Sequence, residues 1–119
     1  MKKAISFIVA VFALVAFSSS AALADAPAAF NKCKACHKTD SDNSKWTVGP
    51  GMQGIGKRLS KDYLGKWLTD PQATFDAGGA EIEALKKGDK FKTPLKMPSV
   101  TKTMTPEDRA ALIDYLGTL

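Results

Sequence analysis

Apolar residues begin to recur at helical spacing shortly after residue 25. Ala26, Phe30 and Cys33 lie at i, i+4 and i+7, so they share one face of a helix. This spacing predicts a short helix over residues 26–35 that carries a cysteine on its apolar side.

The middle of the chain contains two further helical patterns. Ser60 has the chemistry of an N-cap, and the helix that follows it is predicted to continue beyond Trp67. Asp70 should end that helix, because the residue before a proline is disfavoured in the α region. A shorter helix is predicted over residues 80–87, where Gly88 closes it.

The last helix has the most complete sequence signal. Thr105 supplies an N-cap, Pro106 occupies the first helical position, and Asp108 lies three residues after the cap. The apolar residues that follow are spaced at i, i+3, i+4 and i+7, which is typical of an amphipathic helix: Leu112, Tyr115, Leu116 and Leu119.

The segments between these helices are predicted to be loops. Residues 38–56 are rich in polar residues and glycine, and residues 93–104 contain Pro94 and Pro98, which favour an extended loop. No segment alternates apolar and polar residues as a half-buried strand would. The predicted fold is therefore all-α, with about four short helices in one domain. Because the core of such a small domain is limited, we expect a non-protein component at its centre.

The first 24 residues have the features of a secretory signal peptide. Lys2 and Lys3 precede an apolar run of about 14 residues, and a small-residue site ending at Ala24 follows it. This run is shorter than the roughly 20 apolar residues of a spanning helix, which favours a cleaved signal peptide. The alternative is that the segment stays uncleaved as a membrane anchor. The predicted organisation is a cleaved signal peptide, residues 1–24, and one domain, residues 25–119, in the periplasm.

Charge and composition argue against a nucleic-acid-binding protein. The chain of 119 residues has 17 basic and 12 acidic residues, and its formal net charge is +5. Loss of the two signal-peptide lysines leaves +3, from 15 basic and 12 acidic residues. Neither a block of Lys or Arg nor an aromatic stacking platform accompanies this charge, so nucleic acid is not an expected partner.

The two cysteines and the single histidine fall within five residues. Cys33, Cys36 and His37 form the pattern C-x-x-C-H, in which two thiols add to the vinyl groups of a haem and the imidazole binds its iron. A dithiol redox site would require a βα pattern, and a zinc site would require a fourth ligand. A structural disulfide is a further alternative, but it leaves His37 unexplained. We therefore predict one covalently bound haem c.

With this motif, the region after the signal peptide resembles the small soluble class I cytochromes c of bacteria. Residues 30–37, Phe-Asn-Lys-Cys-Lys-Ala-Cys-His, resemble the N-terminal helix and attachment site of cytochromes c2. Residues 49–54 resemble the Gly-Pro loop of the family, and the last helix resembles its C-terminal helix. The stretch between Asp70 and Met97 is longer than in the shortest members. The resemblance implies a small cytochrome c fold wrapped around one haem.

The resemblance also implies roles for individual residues. The Pro50 carbonyl would accept the Nδ1–H of His37, which fixes the tautomer and strengthens the bond to iron. Tyr115 would pack near Phe30, where the first and last helices cross. Side chains with N–H groups are candidate donors to the haem propionates: Arg58, whose spacing from the Gly-Pro loop matches the family, Trp46 and Trp67.

The sixth iron ligand is expected to be a methionine, because a neutral thioether suits reduced iron and raises the reduction potential. Met97 is the preferred candidate, since Pro98 would hold it in an extended loop and its separation from Tyr115 matches the family. Two alternatives remain. Met104 precedes a helix cap and should pack on its own helix, and Met52 should lie against the haem edge.

These features predict a periplasmic electron carrier that cycles haem iron between Fe(III) and Fe(II) and is not an enzyme. Its partners would be redox proteins with acidic surfaces, and it would be a monomer without membrane insertion after signal cleavage. One alternative is a haem enzyme or a gas or peroxide sensor whose sixth ligand is labile or absent. Another is an electron-transfer subunit of a dehydrogenase or oxidase complex. The lysines expected to ring the haem edge are Lys32, Lys34, Lys38, Lys90, Lys92, Lys96 and Lys102.

Overall fold

Helices are the regular elements of this protein. The structure, a computed structural model, describes residues 25–119, and the predicted signal peptide lies outside the described residues. Between residues 25 and 119 there is no named strand, only an isolated antiparallel bridge between Trp46 and Pro50, so the all-α prediction is confirmed. The described part of the chain has a 3₁₀ helix (Ala28–Lys32) and six α-helices: α1 (Ile55–Arg58), α2 (Lys61–Thr69), α3 (Pro71–Ala77), α4 (Ala80–Lys86), α5 (Met97–Thr101) and α6 (Pro106–Leu116).

Helices α2 and α6 begin at their predicted caps. The Ser60 hydroxyl accepts the Tyr63 backbone N–H at 3.1 Å. The Thr105 hydroxyl accepts the Asp108 N–H at 3.1 Å, and the Asp108 carboxylate accepts the Thr105 N–H at 3.2 Å. This reciprocal capping box satisfies two backbone donors that a helix start otherwise leaves without partners. The predicted helix before Gly88 is also confirmed as α4.

The N-terminal helix is shorter and tighter than predicted. The regular part is the five-residue 3₁₀ helix, so the prediction of a helix over residues 26–35 was wrong in extent. Its N-cap, Pro27, makes no side-chain capping hydrogen bond, and so short a helix has little stability of its own. The chain continues in turns, in which the His37 N–H donates to the Cys33 carbonyl at 2.9 Å.

Helix α3 begins at the residue that ends α2. Asp70 closes α2 in a non-helical conformation, and its carboxylate accepts the Ala73 N–H at 2.9 Å. Pro71 then occupies the first turn of α3, where its missing N–H has no intrahelical partner to lose. The same two residues that predicted the end of one helix therefore also begin another.

Helix α5 contradicts the extended loop predicted for residues 93–104. Pro98 lies in the first turn of α5, a position that tolerates proline. The N-cap residue of this helix, Lys96, is already in the αR region. Met97 consequently projects from the start of a short helix and not from an extended segment.

The core lies where the N-terminal helix, α2 and α6 meet. Leu112 is fully buried, and the Phe30 and Tyr115 rings meet edge-on with centroids 4.8 Å apart, which confirms the predicted pairing. Leu64 and Leu68 of α2 pack in the same cluster. Burial of each such leucine stabilises the fold by about 1.5–3 kcal/mol. None of the helices within residues 25–119 has the length and apolar character needed to span a membrane.

Candidate cofactor site

A cavity of about 870 Å³ lies beside this core, and several elements contribute to its walls. Its volume lies in the range of about 300–1,000 Å³ that is typical of small-molecule and cofactor sites. Side chains of helices α2, α4, α5 and α6 line the cavity, and so do residues of the loop 46–52. The residues with candidate cofactor chemistry that border it are Cys33, Cys36, His37 and Met97.

The two cysteines reach the cavity from the turn after the 3₁₀ helix. Cys33 is buried, Cys36 is half-buried, and both are free thiols. Burial raises the pKa of the Cys33 thiol, and the neighbouring Cys36 adds to this effect. The buried Cys33 is therefore held as a neutral thiol, and the Cys36 thiol borders the same cavity.

The orientation of His37 is fixed by the loop that follows it. Its Nδ1–H donates to the Pro50 carbonyl at 2.8 Å, which leaves the Nε2 lone pair available. Burial lowers the pKa of His37, although the hydrogen bond to Pro50 opposes this shift. The result is a neutral imidazole of fixed tautomer, which is the form that binds a metal. Gly49 makes room for this ring, because a Cβ there would lie 2.8 Å from Nδ1 and would overlap Cε1.

The Cys36 carbonyl anchors the loop that carries Pro50. It accepts the Gly49 N–H at 2.8 Å and the Thr47 hydroxyl, also at 2.8 Å. The bridge between Trp46 and Pro50 closes the same turn. Sequence reasoning did not identify Thr47, because a threonine in a polar loop carries no signal of a partner eleven residues earlier.

The methionines occupy different positions relative to the cavity. Met97 is half-buried at its border, and Met52 borders it from the loop that follows Pro50. Met104 is buried in the core and is not among the residues that line the cavity. Met97 is therefore the lining methionine that comes from an element separate from the Pro50 loop.

The candidate N–H donors also differ in their surroundings. Arg58 is exposed and Trp67 is half-buried, and both border the cavity. The Trp46 indole N–H instead donates to the Asn43 carbonyl at 3.1 Å, so this donor is engaged within its own loop. Tyr63 is a lining residue that the sequence did not reveal. Burial raises its pKa, with a smaller contribution from the Glu81 carboxylate, and the phenol stays a neutral donor.

These side chains fit a covalently attached haem c. Two thiols, an imidazole with an available Nε2 and a thioether border one cavity, and apolar residues of α2 and α6 also line it. Among residues 25–119, no group of three or more His, Cys, Asp or Glu side chains is placed to hold a metal ion.

Comparison with known proteins gives a consistent result. A protein-family model described as "Cytochrome c" matches residues 23–119. The chain is 30% identical over 118 residues to "Cytochrome c2 iso-1" of Magnetospirillum fulvum, which covers 81% of this chain and 99% of that protein. It is 34% identical over 98 residues to "Cytochrome c2 iso-2" of the same organism, which covers 81% and 100%. A search of solved structures found no significant match.

Proposed function

Because the chain belongs to the cytochrome c family, and is thus an electron carrier with covalently bound haem c, we propose that it shuttles single electrons between redox proteins of the periplasm. Cys33 and Cys36 form the thioether bonds, and His37 and Met97 are the axial ligands. One observation carries this proposal: all four side chains border the same cavity.

The surrounding residues hold this site in a form suited to electron transfer. The bound haem supplies a one-electron Fe(III)/Fe(II) couple. Pro50 keeps the His37 proton on Nδ1, so that Nε2 has the lone pair that would bind the iron. Buried leucines of α2 and α6 line the cavity and would keep water away from the haem. If His37 and Met97 both bind the iron, no coordination site would remain for a substrate, which favours a carrier over an enzyme or a gas sensor.

The surface charges favour transient association with acidic redox partners. Lys34 and Lys96 are exposed near the two segments that carry the iron ligands, as are Lys38 and Lys92. Exposed lysines around the haem edge would steer an acidic partner and raise the encounter rate without producing a tight complex. The signal peptide delivers the chain to the periplasm, where the cleaved domain, residues 25–119, acts as a monomer.

Absorption spectra and denaturing electrophoresis of the purified protein test the proposed site. We expect c-type bands that shift on reduction, a near-infrared Met-to-iron band in the oxidised state, and pigment that stays with the denatured chain. Replacement of both cysteines (Cys33→Ala and Cys36→Ala) should remove the bound pigment. Pigment that extracts into acid–acetone would contradict covalent attachment, and absence of the near-infrared band would contradict Met97 ligation.

A further inference from the structure

Trp46 joins two parts of the cavity wall that are far apart in sequence. Its indole packs directly on Gly88, the residue that follows the C-cap of α4. A Cβ at Gly88 would overlap indole atoms Cε2 and Cζ2 and would lie 2.7 Å from Nε1. Gly88 is not among the glycines with positive φ. The glycine is therefore needed for the space that it leaves, and not for an unusual backbone conformation.

Two hydrogen bonds hold Trp46 in this position, one made by its indole and one by its backbone carbonyl. Its Nε1–H donates to the Asn43 carbonyl at 3.1 Å. The Trp46 backbone carbonyl accepts from Lys90 Nζ at 2.9 Å, which ties the loop to the chain after Gly88. Trp46, Asn43 and Lys90 all border the cavity. The packed indole thus closes the wall where the loop of residues 38–54 meets the segment after α4.

We propose that Trp46 is a positioning residue whose contact with Gly88 keeps water away from this edge of the haem and thereby raises the reduction potential. The inference rests on the proposed function, since it requires a haem in this cavity. Water near the haem favours the oxidised state, which carries the additional positive charge, because burial in an apolar site penalises charge. Burial is one of the means by which a protein tunes haem potential. Removal of the contact should therefore lower the potential while both axial ligands remain bound.

Gly88→Ala in the haem-loaded protein is the direct test, and Gly65→Ala is its matched control. A Cβ at Gly65, within α2, would meet only Ile113 Cδ1 at 3.8 Å, which is an ordinary contact. Gly88→Ala should lower both the reduction potential and the melting temperature, the latter by about 4–8 °C, because the indole has to move. Gly65→Ala should leave the potential unchanged and should not lower the melting temperature.

A double-variant cycle assigns the effect to the indole. In a Trp46→Leu background, Gly88→Ala should have little further effect on potential or melting temperature, since the overlapping ring is gone. Equal losses in both backgrounds would overturn the proposal. An unchanged potential in Gly88→Ala would also overturn the proposal, because the contact would then be purely structural. A raised potential would overturn it as well, because the contact would then act through the Pro50 carbonyl.

Two measurements keep this test separate from that of the proposed function. The near-infrared band should persist in Gly88→Ala, which shows that the axial pair is intact when the potential is compared. If Gly88→Ala does not yield haem-loaded protein, Trp46→Leu alone decides, since it opens the same edge without overlap. A lowered potential in Trp46→Leu supports the proposal, and an unchanged one overturns it.

Discussion

Gly49 shows how a missing side chain sets the geometry of the proposed iron ligand. Its Cα lies against the His37 ring, and its N–H donates to the Cys36 carbonyl at 2.8 Å. We predict that Gly49→Ala destabilises the haem-loaded protein by about 1–3 kcal/mol, because the ring and the loop have to separate. Chemical denaturation with Gly65→Ala as the control measures this effect. Equal stability of the two variants would contradict the prediction.

Met97 and Met104 provide a second comparison between single side chains. We predict that Met97→Ala abolishes the near-infrared band and lowers the reduction potential, because the thioether ligand is lost. Met104→Leu should preserve both properties and cost less than about 1.5 kcal/mol of stability, since the substitution nearly conserves volume in the core. Met52→Leu is a control that borders the cavity. Loss of the band in either control would transfer the ligand role to that methionine.

The predictability of individual site residues depends on how local their chemistry is. Cys33, Cys36 and His37 are adjacent in sequence, so their spacing alone predicted a haem site. Met97 required a resemblance to a family, because sequence spacing does not reveal which methionine borders a cavity. Tyr63 and Gly88 carried no functional signal, since their roles depend on contacts with residues that are distant in the chain.

Helix α6 depends on a local device, the capping box at its start. We predict that Thr105→Ala lowers the free energy of unfolding by about 0.5–2 kcal/mol, because the Asp108 N–H loses its acceptor. Thr103→Ala is the matched control, an exposed threonine in the same loop whose hydroxyl accepts from Lys32 Nζ at 2.9 Å. Thermal unfolding compares the two variants. A control that loses as much stability as Thr105→Ala would show that the cap is not the cause.

Whether a helix begins with a local capping signal explains which helices could be predicted from the sequence. Caps at Ser60 and Thr105 act within three residues, so sequence alone identified α2 and α6. Helices α3 and α5 were missed because Pro71 was taken only to end a helix and Pro98 only to favour an extended loop. Proline is also compatible with the first turn of a helix, and the packing of the whole chain decides which role it takes.

The distribution of charge over the whole domain predicts a salt-dependent reaction with an acidic redox partner. We expect the bimolecular rate to fall steeply as the Debye length shrinks from about 30 to 10 Å, because screening removes electrostatic steering. Stopped-flow measurements of electron transfer over this range of salt test the expectation. A rate that does not respond to salt would contradict it.

Charge-reversal variants should locate the surface that does the steering. Lys34→Glu and Lys96→Glu should each slow the reaction at low salt more than a reversal on α2. Lys61 is a poor control there, since its Nζ lies 3.0 Å from the Asp114 carboxylate, and reversal would place two negative charges together. Lys66, exposed on the same helix, is the better comparison. Equal losses at all three positions would mean that only net charge matters.

Asp70 caps both the end of α2 and the start of α3, and this shared cap limits where residues can be inserted or deleted. An extra residue at that position would separate the end of α2 from the start of α3. Asp70 could then cap only one of the two helices, and the other helix would lose its cap. The junction between α3 and α4 differs, because two separate glycines, Gly78 and Gly79, end one helix and begin the next without a side-chain capping hydrogen bond. Gly78 and Gly79 adopt φ values of 71° and 115°, with no neighbouring atom within 4 Å of a Cβ at Gly78. Insertions and deletions among relatives should therefore accumulate at residues 78–79, where added chain costs little loop-closure entropy and breaks no side-chain capping hydrogen bond.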